Sequence, residues 1–188
     1  LSMGTHAMLV ESKLNGGDEP LNFASGPVSG PPLLLLHGVT RRWQDFVTLI
    51  PMLSLRWRVH ALDFRGHGKS GRTPGKYLVK DYVRDAVAFL RHHLKEPAVL
   101  YGHSLGAMVA AAAAAEAPQL VRAVVMEDPP FDTLGPRICE TPFHAFFSGV
   151  RAALAAGERG EAAVDALARR LAEVRVPKMG GAGFGGAG

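Results

Sequence analysis

The strongest structural signal in this chain is the stretch Ala98-Val99-Leu100-Tyr101-Gly102-His103-Ser104-Leu105-Gly106. Its first four residues form a continuous apolar run, which is typical of a strand covered on both faces. The alanine-rich residues that follow, Leu105 to Ala117, predict a helix because alanine is the best helix former. A strand, a glycine-flanked turn and a helix in that order predict a βα unit with a G-x-S-x-G pattern at its turn.

Similar apolar runs and helical patterns alternate through the rest of the chain. Three further strands are predicted at Leu33 to Leu36, Arg58 to Phe64 and Val121 to Met126. Helices are predicted at Trp43 to Leu53 and Val79 to Leu94. Strands that alternate with helices of this length indicate the α/β class, with a mostly parallel sheet and flanking helices.

The chain begins with a different pattern. Ala7 to Glu11 and Leu21 to Ala24 are short apolar stretches on either side of the turn-rich run Asn15-Gly16-Gly17-Asp18. Two short strands joined by turn residues predict an N-terminal hairpin.

Composition limits the classes of function. The chain has 188 residues, of which 47% are hydrophobic and 20% charged, as in an ordinary soluble domain. No apolar run approaches the roughly 20 residues of a membrane helix. The single cysteine, Cys139, excludes an internal disulfide and a cysteine-built zinc site and favours a cytoplasmic location. The net charge of +4 is scattered and not clustered with aromatic residues, so we expect no nucleic-acid partner.

Ser104 is the candidate nucleophile. Ligands of a parallel sheet bind outside the carboxyl ends of its strands, which is where the turn 102–106 is predicted to lie. A serine on such a turn has a strained backbone, and its crowded neighbours Gly102 and Gly106 must lack side chains. The N–H of Leu105, at the start of the helix, is a candidate donor to an oxyanion. Alternatively, Ser104 only caps the helix at a tight turn.

Three motifs in order resemble the α/β-hydrolase family. They are Leu33-Leu34-Leu35-Leu36-His37-Gly38, Asp63-Phe64-Arg65-Gly66-His67-Gly68-Lys69-Ser70 and the Ser104 turn, and the resemblance extends from Ala7 to Pro130. It implies a serine hydrolase that acts on an ester or related acyl substrate through an acyl-enzyme, with no cofactor and no metal. A serine at the turn argues against the aspartate-dependent dehalogenase and epoxide-hydrolase relatives.

The resemblance also implies roles for individual residues. Val39, in the loop after the His37-Gly38 pair, would donate the second oxyanion-hole amide. His37, like His67, would stabilise its loop and would not act as a base. Asp128, at the end of the sixth strand, would be the catalytic acid, since some family members place the acid there. The alternative is that Asp128 and Glu127 are simply a charged pair before a turn.

The catalytic histidine has no counterpart at the family's position. In the family the usual acid follows a seventh strand and the histidine an eighth, and the chain stops before both, so we expect the C-terminal strands to be missing. The alternatives are a non-catalytic relative that binds a ligand or partner, or an inactive fragment. If the polypeptide ended here, the open edge of the sixth strand could pair with a second copy.

Three segments are predicted: residues 1–130 as the hydrolase core, 131–178 as a helical cap and 179–188 as a flexible glycine-rich tail. Two apolar stripes define the cap: Phe143, Phe146, Phe147, Val150 and Leu154, and then Val164, Leu167, Leu171 and Val174. Their apolar faces favour a small, mostly hydrophobic substrate; ordinary packing against the sheet is the alternative.

Overall fold

The structure, a computed structural model, describes residues 9–131, 135–157, 160–161, 164–165 and 168–169. The chain divides into two compact units, Leu1–Pro130 and Phe131–Gly188. The predicted glycine-rich tail, 179–188, lies outside the described residues.

The first unit is built on a six-stranded sheet of order β1-β2-β4-β3-β5-β6. The strands are β1 (Val10–Leu14), β2 (Leu21–Ser25), β3 (Pro32–Leu36), β4 (Arg58–Leu62), β5 (Ala98–His103) and β6 (Val121–Glu127). Strand β1 pairs antiparallel with β2, and β2 pairs antiparallel with β4. The other pairings, β4 with β3, β3 with β5 and β5 with β6, are parallel. The predicted α/β class with a mostly parallel sheet is confirmed. Pairing of the β6 edge with a second copy stays a prediction.

The helices differ in detail from the sequence prediction. The unit contains α1 (Ile50–Leu53), α2 (Val79–Phe89) and α3 (Leu105–Glu116), and α2 continues as a π-helical turn, Leu90–Leu94. The continuous helix predicted from Trp43 to Leu53 is wrong: a 3₁₀ turn, Trp43–Phe46, precedes the short α1. Pro51 has no N–H with which to continue a helix from the preceding turn, so the helix can only restart around it.

The core lies on both faces of β3, whose five residues are all buried. Leu34 and Leu36 pack on the face covered by α2 and α3, where Phe89 and Val109 are fully buried. Leu33 and Leu35 pack on the opposite face against residues of the segment 43–50. Alternate side chains of one strand therefore enter two separate cores, which is why β3 reads as an uninterrupted apolar run.

The second unit contains a 3₁₀ segment, Gly135–Glu140, and α4 (Pro142–Ala155). Within α4 the rings of Phe146 and Phe147 lie 5.2 Å apart in an edge-on contact. Phe143 is 58% exposed, and Val164, in the second predicted stripe, is 65% exposed. The remaining members of that stripe, Leu167, Leu171 and Val174, lie outside the described residues. The role of this unit as a cap stays a prediction.

A buried histidine on β4 couples the fold to pH. His60 is only 6% exposed, its Nδ1 is hydrogen-bonded to Ser25 Oγ at 2.9 Å, and its Nε2 has no hydrogen-bond partner among the described residues. The His93 ring packs edge-on against it at 5.4 Å. Burial, with added repulsion from His93 and Arg58, lowers the pKa of His60 from 6.5 to about 4.

We expect the free energy of unfolding to fall as the pH is lowered from about 6.5 to about 4. In that window the unfolded chain protonates His60 and the folded chain does not, so the stabilisation is complete above the unfolded pKa and is lost towards the folded one. The contribution of His60 is about 3 kcal/mol. Urea unfolding across this range, compared with His60→Gln, measures it; parallel pH profiles for the two chains would contradict it.

Candidate active site

Ser104 occupies a strained turn between β5 and α3. Its backbone has φ 53° and ψ −114°, a conformation that residues with a side chain rarely adopt. The Ser104 N–H donates to the Glu127 carbonyl at 2.9 Å, and the Ser104 carbonyl accepts the N–H of Ala107 at 3.0 Å. The Ser104 side chain makes no capping hydrogen bond to α3. The hydroxyl is therefore not used as a helix cap, which was the alternative role.

Two glycines let the turn form. A Cβ added at Gly102 would lie 2.2 Å from the Gly106 carbonyl oxygen, and one added at Gly106 would lie 2.0 Å from the Leu36 carbonyl oxygen. Both distances are far below van der Waals contact. The helix α3 thus begins in direct contact with the backbones of β5 and β3.

The loop after β3 lies against this turn. A Cβ added at Gly38 would lie 3.0 Å from His103 Nδ1 and 3.3 Å from Ser104 Cβ. Val39 is the next residue, and Thr40 follows with a left-handed φ of 64°. Leu105 is the first residue of α3, and its N–H has no partner within the helix. The convergence of the Val39 and Leu105 amides on one oxyanion position stays a prediction.

His37 is a structural histidine by geometry. Its ring is 1% exposed, the Phe64 N–H donates to Nε2 at 3.0 Å, and Nδ1 lies 2.7 Å from the Gly38 carbonyl oxygen. Since Nε2 accepts a hydrogen bond, the ring proton is on Nδ1 and is donated to Gly38. Burial lowers the pKa of His37 to about 4, so the ring is neutral at ordinary pH. His67 Nδ1 lies 3.0 Å from the Arg65 carbonyl oxygen, in its own loop.

The two acidic residues at the end of β6, Glu127 in the strand and Asp128 after it, have different surroundings. Asp128 is exposed and has a left-handed φ of 46°. The Glu127 carboxylate instead accepts a hydrogen bond from the Tyr101 hydroxyl. Burial, together with this hydrogen bond to a carboxylate, raises the pKa of Tyr101 to about 12. The role of Asp128 as the acid stays a prediction.

Glu127 and Tyr101 line an open cavity of about 500 Å³ beside the turn. Its walls include Gly38, Arg41 and Phe46 from the segment after β3, and His103 from β5. Sequence reasoning missed the Tyr101–Glu127 pair. The alternation of side chains along β5, which puts Tyr101 and His103 on one face, is readable from the sequence. The register that pairs His103 with Glu127 is known only from the structure.

Metal clusters and membrane helices do not occur in the described part of the chain. Within those ranges, no group of three or more His, Cys, Asp or Glu side chains could hold a metal ion. None of the helices described there is long and apolar enough to cross a membrane.

Comparison with known families identifies the class. A family model for the alpha/beta hydrolase fold matches residues 31–155, and the chain belongs to this family. The match includes β3, the turn at Ser104 and the whole of α4.

Individual relatives carry different names. A 2-(acetamidomethylene)succinate hydrolase of Mesorhizobium japonicum is 42% identical over 100 residues, which are 53% of this chain and 36% of the relative. A magnesium-chelatase 30 kDa subunit of Rhodobacter capsulatus is 38% identical over 95 residues, which are 50% of this chain and 34% of the relative. The crystal structure of an E-2-(acetamidomethylene)succinate hydrolase aligns with TM-score 0.59 and 37% identity, covering 62% of this chain and 43% of that one. The chain thus spans about a third of the length of these two curated relatives.

We expect Gly106→Val to unfold or strongly destabilise the first unit, because its side chain would collide with the Leu36 carbonyl. Gly17→Ala is the matched control, since a Cβ there meets only the Glu19 carbonyl oxygen at 3.9 Å. Thermal unfolding followed by circular dichroism compares the two variants. Equal transition temperatures would mean that α3 does not approach β3 closely.

Proposed function

We propose that this protein is a serine hydrolase that cleaves an ester or related acyl substrate with Ser104 as its nucleophile. The observation that carries the proposal is the strained backbone of Ser104, which has φ 53° and whose side chain does no structural work as a cap. Strain of this kind persists only where the surrounding structure enforces it, and it clusters at functional sites. Here the enforcement comes from Gly102, Gly106 and the Ser104 N–H bond to Glu127.

The chemistry follows from the surroundings of the hydroxyl. Ser104 Oγ attacks the substrate carbonyl carbon while its proton passes to a histidine base. The carbonyl oxygen becomes an oxyanion, which the N–H groups of Leu105 and Val39 stabilise. Collapse of this intermediate expels the alcohol, which takes the proton from the histidine, and leaves an acyl group on Oγ. Water then attacks the acyl-enzyme by the same steps and releases the acid.

The base in this proposal is a histidine oriented by Asp128. In the family this histidine follows an eighth strand, and the described residues contain six strands. Within the first unit, His37 and His67 are engaged with backbone carbonyls and His60 with Ser25, whereas His103 lines the cavity beside Ser104. A base must instead present a free ring nitrogen to Oγ within hydrogen-bond reach.

The proposed substrate is small and mostly hydrophobic. Apolar surface in the cavity next to Gly38 comes from Phe46, Leu49 and the Tyr101 ring. Its wall also carries the charged side chains of Arg41, Asp45 and Glu127, which could contact a polar group of the substrate. A similar protein is named 2-(acetamidomethylene)succinate hydrolase. We propose a cytoplasmic location on the basis of the single cysteine.

A second candidate function is binding without catalysis. One relative, 38% identical over 95 residues, is named as a magnesium-chelatase subunit and not as a hydrolase. In that case the strained turn at Ser104 would serve only to join β5 to α3.

Labelling with a fluorophosphonate probe separates the two candidates. We expect the 188-residue chain to label slowly, and the product of the complete reading frame to label about 10³-fold faster or more, because loss of one triad member removes several orders of magnitude of rate. The Ser104→Ala variant of each length is the control. Gel fluorescence and peptide mass analysis measure the rate and the site.

Two results would contradict the proposal in different ways. Fast Ser104-dependent labelling of the 188-residue chain would mean that the base is already present in it. If neither chain is labelled at Ser104, the result would favour the binding function.

A further inference from the structure

The segment that carries the Val39 amide is fastened at both ends to two consecutive residues, Asp63 and Phe64. At its start, the Phe64 N–H donates to His37 Nε2 at 3.0 Å. At its end, the Trp43 N–H donates to Asp63 Oδ1 at 2.7 Å. Only residues 38–42 lie between these two attachment points, and we call this segment the oxyanion loop.

Asp63 is unusual because its carboxylate is wholly buried and is held by N–H donors. It is 0% exposed and directly follows β4. Besides the Trp43 bond, Oδ2 accepts from Asn22 Nδ2 at 2.8 Å and from the Lys69 N–H at 3.0 Å. A Cβ added at Gly68 would lie 2.1 Å from Oδ2, so the following loop closes tightly around the carboxylate.

The two oxygens of Asp63 therefore have separate tasks. Oδ2 fixes the carboxylate to β2, through Asn22, and to its own loop, through Lys69. Oδ1 holds the end of the oxyanion loop, through Trp43. A carboxylate suits this position because both of its oxygens accept, whereas an amide would present a donor on one side.

We propose that Asp63 is a positioning residue for the hydrolytic reaction: it holds the oxyanion loop through the Trp43 amide and so sets the position of the Val39 N–H. The inference rests on the proposed function, because only an oxyanion-forming reaction uses that N–H. Between the Gly38 contact with the Ser104 turn and the Trp43 anchor, the loop has few residues in which to absorb a displacement. Loss of the anchor thus moves the amide relative to Ser104.

Asp63→Asn separates the two tasks of the carboxylate. Two donors, Asn22 Nδ2 and the Lys69 N–H, face one side and a single donor, the Trp43 N–H, faces the other. The amide of the new Asn side chain has one oxygen, and that oxygen faces the two donors because it then accepts two hydrogen bonds. The NH₂ group of the same amide therefore faces the Trp43 N–H, and two donors meet there. The substitution changes neither size nor shape, and it breaks the anchor selectively.

The exchange Asn22→Asp in the Asp63→Asn background is the rescue variant. The carboxylate at position 22 accepts from the NH₂ group of the amide at position 63, so the amide oxygen turns back to the Trp43 N–H, at the cost of the acceptor of the Lys69 N–H. Ser70→Ala is the matched control. Ser70 Oγ accepts from the Asn22 N–H at 2.8 Å and donates to the Asp63 carbonyl at 2.7 Å, so it touches the same residues without contacting the oxyanion loop.

The first measurement is hydrogen exchange in the 188-residue chain, which does not depend on activity. We expect the Trp43 amide of the unchanged chain to exchange as slowly as the core amide of Leu35, and Asp63→Asn to speed it about tenfold or more relative to Leu35. The rescue variant should restore slow exchange, and Ser70→Ala should leave the ratio unchanged. Fast exchange of Trp43 in the unchanged chain overturns the proposal whatever the variants do.

The second measurement is steady-state kinetics with an activated ester, using the product of the complete reading frame. We expect Asp63→Asn to lower kcat roughly 10- to 100-fold with KM within about twofold, since a displaced oxyanion donor acts on the transition state and not on substrate binding. Ser70→Ala should keep kcat, and the rescue variant should recover most of it.

The outcomes distinguish this inference from the proposed function. Fast Trp43 exchange in Asp63→Asn with unchanged kcat overturns the positioning role while Ser104-dependent turnover stands. An equal fall of kcat in Ser70→Ala also overturns it, since the effect would then be general destabilisation. If the product of the complete reading frame shows no Ser104-dependent turnover, the proposed function is overturned. The Asp63–Trp43 hydrogen bond then has no catalytic role.

Discussion

The close approach of α3 to the backbones of β3 and β5 is the constraint on which the site depends. A side chain at Gly106 would meet the Leu36 carbonyl at 2.0 Å, so the first turn of α3 sits as near to the sheet as a backbone can. That approach leaves Ser104 no relaxed conformation between strand and helix. It also brings the unpaired N–H groups of the helix start to the carboxyl end of β3, where the oxyanion loop begins.

The loops at the carboxyl ends of the strands hold one another. His37, after β3, is bonded to the Phe64 N–H after β4, and Asp63, after β4, is bonded to the Trp43 N–H at the end of the oxyanion loop. The Ser104 N–H, after β5, is bonded to the Glu127 carbonyl at the end of β6. Each loop is thus hydrogen-bonded to a residue at the end of a neighbouring strand. The position of the site therefore depends on these buried hydrogen bonds as well as on the apolar core.

The sequence predicts the parts of the fold and of the site that depend on residues close together in the chain. An apolar run such as Leu33 to Leu36 and two glycines around Ser104 have one physical explanation each, and the structure contains both. The break in the helix before Leu53 has an equally local cause, since Pro51 interrupts a long apolar pattern that by itself favours one continuous helix.

The sequence could not predict the Tyr101–Glu127 pair or the three hydrogen bonds of the Asp63 carboxylate, and the reason is different. Both depend on the register between strands and on loop conformations, such as the positive φ of Thr40, that no periodicity encodes. Likewise, the sequence places Glu127 and Asp128 side by side, and only the structure shows that Glu127 lines the cavity while Asp128 is exposed with a left-handed backbone.

The most direct test of this account is a crystal structure of the protein with Ser104 phosphonylated by long incubation with the fluorophosphonate. The tetrahedral adduct carries a phosphoryl oxygen where the oxyanion would form. The account predicts that this oxygen lies within about 3 Å of both the Val39 and the Leu105 amide nitrogens. A phosphoryl oxygen that points to solvent, with either amide directed elsewhere, would contradict it.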